Sequence, residues 1–163
     1  MQMNSSNFLL FVSSLVSAGI ASYITYTLAR RSTKYEFLLK EKIDALKSIQ
    51  QRLVSLKKYC YSVIAEYEGN EFAPRYEKDN KGALVHRDEL SSCAEDNAIF
   101  FSEELTKKLN DLDSQLSLLC NFELWRVSCT LEERAAYENM SGYEGTIRAV
   151  DRCLADVQKE LSF

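Results

Sequence analysis

No glycine or proline occurs between Ile20 and Glu68. A stretch of that length without either breaker favours continuous helix, because Gly and Pro are the residues least compatible with a helix interior. The whole chain of 163 residues holds one Pro and five Gly. That scarcity excludes collagen-like repeats and Pro/Gly-rich disorder. It also argues against a β-sandwich, whose frequent turns depend on both residues.

The uninterrupted region begins inside a second unusual stretch. Residues 7–29 contain no charged side chain. As a helix these 23 residues would extend roughly 34 Å, against about 30 Å for a bilayer's hydrocarbon core. Arg30, Arg31 and Lys34 follow at once, while residues 1–6 carry no Lys or Arg. The positive-inside rule therefore predicts a single-pass protein of the cell membrane, with a short outer tail and a cytoplasmic C-terminal part. Tyr23, Tyr26 and Tyr35 are placed for the interface, and Arg30, Arg31 and Lys34 for lipid headgroups. A cleaved signal peptide is the competing reading, with Gly19-Ile20-Ala21 as a small-residue site. The start lacks a basic region and the apolar run exceeds a usual signal core.

Ser13, Ser17, Ala21, Thr25 and Ala29 form an i, i+4 row of small residues within this segment. Such rows let helix backbones approach closely, which predicts association with a second copy or a helical partner. Six Ser and Thr hydroxyls between Ser13 and Thr27 suggest an alternative: a membrane-perturbing effector or toxin-like protein whose cytoplasmic domain senses a signal.

Charge divides along the chain. Residues 30–60 carry a net +6 and residues 61–163 a net −10, within a total of −4. The basic part adjoins the proposed membrane segment. Nucleic-acid binding is not expected, since the acidic remainder brings no recognised motif with it.

Three apolar seams organise the rest. Leu46, Ile49, Leu53, Leu56, Cys60, Val63 and Tyr67 step alternately by three and four. Leu105, Leu109, Leu112, Leu116 and Leu119 do the same, as do Met140, Tyr143, Ile147, Val150, Leu154, Val157 and Leu161. Heptad spacing predicts coiled-coil-like packing. The expected layout is a tail over 1–6, a transmembrane helix over 7–29, a basic stalk helix over 30–68, an irregular loop over 69–91 and a helical hairpin over 92–163. That makes an all-α chain whose membrane helix continues into an antiparallel three-helix bundle. Ser92 with Glu95 and Thr130 with Glu133 have capping-box spacing for the two hairpin helices. Gly142 and Gly145 weaken the last helix near its start.

Chemistry is sparse. The five cysteines are widely spaced and include no C-x-x-C pair, consistent with a reducing compartment and with no zinc ribbon. The single histidine, His86, falls in the expected loop and reads as an exposed residue. Pro74, Arg75, Tyr76 and His86 there form a candidate partner-binding loop. A Cys93–His86 dyad is the one enzymatic arrangement the spacing allows, without an oxyanion hole or third group. Nucleotide-binding and hydrolase signatures are missing, so no cofactor, metal or small-molecule substrate is expected. The function read from these features is binding, oligomerisation or recruitment of a partner to the membrane.

Overall fold

The computed structural model describes residues 5–69, 81–130 and 141–162, with side chains from residue 20 onward. The described residues are helical, with no strand. The chain divides into two compact units, Met1–Glu41 and Lys42–Phe163.

Helix α1 runs from Ser5 to Tyr67, passing through Gly19 and then the breaker-free stretch that begins at Ile20. Gly69, just past its end, has φ +62°. This left-handed conformation favours Gly and stops the helix. In the first unit, Ile20, Tyr23, Ile24, Tyr26, Leu28, Tyr35, Phe37 and Leu38 are exposed. Among the described residues no helix is long and apolar enough to cross a membrane. The transmembrane helix expected over 7–29 is thus not supported by them, and the side chains of residues 7–19 lie outside the described residues.

Among the described residues the second unit is a bundle of four helices, where three were expected. The part of α1 from Lys42 is followed by α2 (Ala83–Asp96), a 3₁₀ turn (Ala98–Phe100), α3 (Glu103–Ser128) and α4 (Ser141–Leu161). The expected loop over 69–91 therefore ends in helix. The helix expected from Ser92 is two helices with a break at 97–102. Ser92 lies inside α2 and caps nothing. The cap is Ser102, whose hydroxyl accepts from the Leu105 N–H at 3.2 Å. Asn97 closes α2 by donating its Nδ2–H to the Cys93 carbonyl at 2.8 Å. Two Asx/Ser signals thus replace the Gly or Pro that a break usually announces. The Thr130 capping box reaches into residues 131–140, outside the described residues.

Side-chain pairs give the direction of each helix. Ser48 meets Cys93 and Arg52 meets Glu89, so α2 runs antiparallel to α1. Ala83 meets Glu123 and Ser91 meets Asp113, so α3 reverses α2. Lys108 meets Asp156 and Tyr143 meets Glu123, so α4 reverses α3. Lys42 with Glu160 and Lys57 with Asp151 close α4 back onto α1. Among the described helices the order is therefore up-down-up-down, as in antiparallel four-helix bundles.

The seams form the core. Leu46, Ile49, Leu53, Leu56 and Cys60 of α1 are fully buried, and the five leucines from Leu105 to Leu119 are buried on α3. On α4, Tyr143, Ile147, Val150 and Val157 are buried as spaced, while Cys153 takes the interior place and Leu154 lies half-buried. Tyr67 is exposed, so the first seam leaves the core at its end. Met140 lies outside the described residues.

Candidate functional site

The polar centre of the bundle is Glu123, late on α3. Its carboxylate accepts from the Tyr59 hydroxyl of α1, from the Tyr143 hydroxyl of α4 at 2.9 Å and from the Ala83 N–H of α2 at 3.1 Å. One side chain therefore joins groups on all four helices of the bundle. The Ala83 bond also supplies α2 with a cap from another helix, since Gly82 offers no side chain to do so. A carboxylate suits that place because the first N–H groups of a helix are unsatisfied and carry partial positive charge.

Two aromatic groups extend the cluster. The Tyr59 ring lies 4.9 Å from the His86 ring and 6.5 Å from that of Tyr143, centroid to centroid. Burial, reinforced by the Glu123 carboxylate, pushes both phenols well above their ordinary range. Burial, with the same carboxylate nearby, pushes the Cys60 thiol up to about 12. These groups stay protonated and neutral around pH 7. The two phenols donate to Glu123, and the Cys60 thiol packs in the core.

A cleft of about 730 Å³ opens beside the cluster, between Tyr59, Glu66 and Tyr67 of α1, Glu123 and Arg126 of α3, and Tyr143 of α4. Its wall mixes aromatic surface with both signs of charge. A second polar knot ties α2 to α3: Arg87 donates to both Asp113 oxygens at 2.8 and 2.9 Å, and Ser91 donates to Asp113 at 2.8 Å. Hydrogen bonding from Arg87 holds the Asp113 carboxyl below its ordinary range.

The residues singled out from sequence fall differently. His86 is not an exposed loop residue. It is buried on α2 at 3% exposure, against Tyr59. Leu90 and Cys93 follow it on the same buried face, which is why the helix turns the imidazole inward. His86 and Cys93 are not brought together. Two turns, about 10 Å, separate them along α2, and Cys93 lies 3.3 Å from the Ser48 hydroxyl. Pro74, Arg75 and Tyr76 lie outside the described residues, as do the side chains of Ser13 and Ser17. Ala21, Thr25 and Ala29 are exposed on α1, as are Arg30, Arg31 and Lys34. Among the described residues no group of three or more His, Cys, Asp and Glu is arranged to hold a metal.

Asp113, whose pairing with Asp111 reads as solvated helix surface, is tied to Arg87 and Ser91 instead, and Glu123 and Tyr59 were not singled out from the sequence. The available signal was an isolated acid inside an apolar run, between Phe122 and Trp125. Its partners are 64 and 20 residues away, beyond any local pattern. No family model, curated protein or solved structure matches this chain.

Proposed function

We propose that this chain is a single-pass membrane-anchored protein whose helical bundle lies on the cytoplasmic side and acts by binding. It would oligomerise or recruit a helical protein partner to the membrane. The observation that carries this reading is the uncharged stretch 7–29 ending at Arg30, Arg31 and Lys34, within one helix, Ser5–Tyr67. Length sets the capacity to span, and the basic end sets the orientation.

The threonines add support. Thr25 donates to the Ala21 carbonyl at 2.8 Å and Thr27 to the Ile24 carbonyl at 2.9 Å. A hydroxyl bonded back to its own helix carries less unsatisfied polarity into lipid. The small row through Ala21, Thr25 and Ala29 remains the surface on which a second span would pack. In the bundle, the cleft beside Glu123 and the exposed Leu118, Leu124 and Val127 of α3 offer surfaces for a protein partner.

The test is a topology measurement joined to an extraction. A reporter fused after Phe163 is expected to be active only in its cytoplasmic form, and the chain is expected to resist alkaline carbonate extraction. A reporter active outside the cytoplasm, or release by carbonate, would overturn the reading. Ala21→Ile with Ala29→Ile is expected to lower the oligomeric mass of the full chain in detergent.

A further inference from the structure

Residues 30–38 of α1 are two-sided in an unusual way. At about 100° per residue, Arg30, Arg31, Lys34, Tyr35, Phe37 and Leu38 fall within an arc of about 160°. The opposite side carries Ser32, Thr33 and Glu36. Cations and large apolar groups therefore share one face, whereas a water-facing amphipathic helix separates them. Tyr35, Phe37 and Leu38 are 70%, 61% and 56% exposed.

The cations on that face are also uncommitted. Among the described residues, Arg30, Arg31 and Lys34 meet no carboxylate, and Glu36 accepts from the Ser32 hydroxyl at 3.2 Å. Farther along the same helix the pattern differs, since Lys42 meets Glu160, Arg52 meets Glu89 and Lys57 meets Asp151. Three unpaired cations set among three exposed apolar side chains match an anionic amphiphile: a negative phosphate for the guanidinium and ammonium groups, acyl carbon for the rings and the leucine.

We propose that this face binds anionic phospholipid, with Arg30, Arg31 and Lys34 on phosphates and Tyr35, Phe37 and Leu38 turned towards the acyl boundary. The proposal rests on the membrane-anchored reading and adds a lipid class to it. Side chains lean towards a helix's N-terminus, here towards the bilayer, so long side chains at 30–38 reach back to the headgroup layer, and tilt of the span lowers one side further. Aromatic rings at headgroup depth and long basic side chains reaching phosphates are favourable there. Each basic group near an anionic surface adds to the preference.

The experiment uses the full chain purified in detergent with equal phosphatidylcholine and phosphatidylglycerol, and the lipids that stay bound are quantified by mass spectrometry. About tenfold enrichment of phosphatidylglycerol is expected. R30Q/R31Q/K34Q is expected to bring the ratio near one, and Y35S/F37S/L38S to reduce it severalfold. K47Q/K58Q/K107Q removes the same charge from exposed positions elsewhere and is expected to leave the enrichment unchanged. An equal loss in that control would mean that net charge alone sets the preference, and the proposal fails. A ratio near one in carbonate-resistant protein defeats the lipid face while leaving the anchor standing. Release by carbonate defeats the anchor itself. Disulfide-linked pairs through Phe37→Cys, with a ratio near one, would show a second copy covering the face and would also overturn it.

Discussion

Glu123 is the residue on which the bundle's polar interior depends. Removing its carboxylate leaves the Tyr59 and Tyr143 hydroxyls and the Ala83 N–H without their acceptor. An unsatisfied buried donor costs about 1–3 kcal/mol. Glu123→Ala is therefore expected to destabilise the chain by about 3 kcal/mol in urea unfolding. Glu123→Gln keeps one acceptor oxygen and should lose about 1 kcal/mol, the difference between a charge-assisted and a neutral bond. Equal losses in the two variants would show that packing, not hydrogen bonding, is what Glu123 supplies. Leu53, fully buried at the centre of α1, is the apolar comparison, and Leu53→Ala should lower stability by about 2–5 kcal/mol.

The break between α2 and α3 is the element that sequence periodicity misplaced. A single helix from Ser92 to Cys129 would satisfy the leucine spacing equally well, because the Leu105–Leu119 seam is indifferent to what precedes Leu105. The structure ends α2 with Asn97 and starts α3 with Ser102, and that reversal sends α3 back along α2. Ser102 also donates to Glu160 of α4 at 2.5 Å, so the cap is held from a second side. Ser102→Ala is expected to lower stability by about 1 kcal/mol, read as a shift in the urea midpoint. Ser92→Ala, at the position that only resembles a cap, is expected to change stability by under about 0.5 kcal/mol. At the end of α1, Gly69→Ala places a Cβ at φ +62°. It should destabilise by about 1 kcal/mol although nothing lies within 4 Å of that carbon.

The bundle as a whole should be stable over a defined pH range. Hydrogen bonding from Lys81 holds the Glu89 carboxyl below its ordinary range, as Arg87 does for Asp113. A lowered carboxylate contributes stability above its unfolded pKa, near 4, and loses it as pH falls through the lowered folded value. At the alkaline end, burial raises the Cys60 thiol to about 12 and the Cys153 thiol to about 11. Their contribution is intact below the unfolded thiol pKa near 9 and is lost as pH rises towards the folded values. Melting temperature is expected to fall below about pH 4 as these carboxylates protonate, and above about pH 8.5 as the unfolded thiols ionise. Asp113→Asn should flatten the acid limb, and an acid limb unchanged in that variant would contradict the assignment.

Helix content, the C-terminal end of α1 and most of the buried seam positions could be read from the sequence, because breaker scarcity and three-four spacing are local properties. The same is true of the charge division and of the uncharged stretch on which the proposed anchor rests. The number of helices in the bundle was not legible, since an Asn and a Ser can end and begin helices without Gly or Pro. His86 shows the limit at one residue. Its charged neighbours Arg87 and Asp88 read as loop, yet α2 turns those side chains outward or into pairs and the imidazole inward. The Glu123 cluster required the tertiary structure altogether. Tyr59, Ala83, Glu123 and Tyr143 are distant in the chain and share no pattern, and only the antiparallel return of the helices places two hydroxyls and an N–H around one carboxylate.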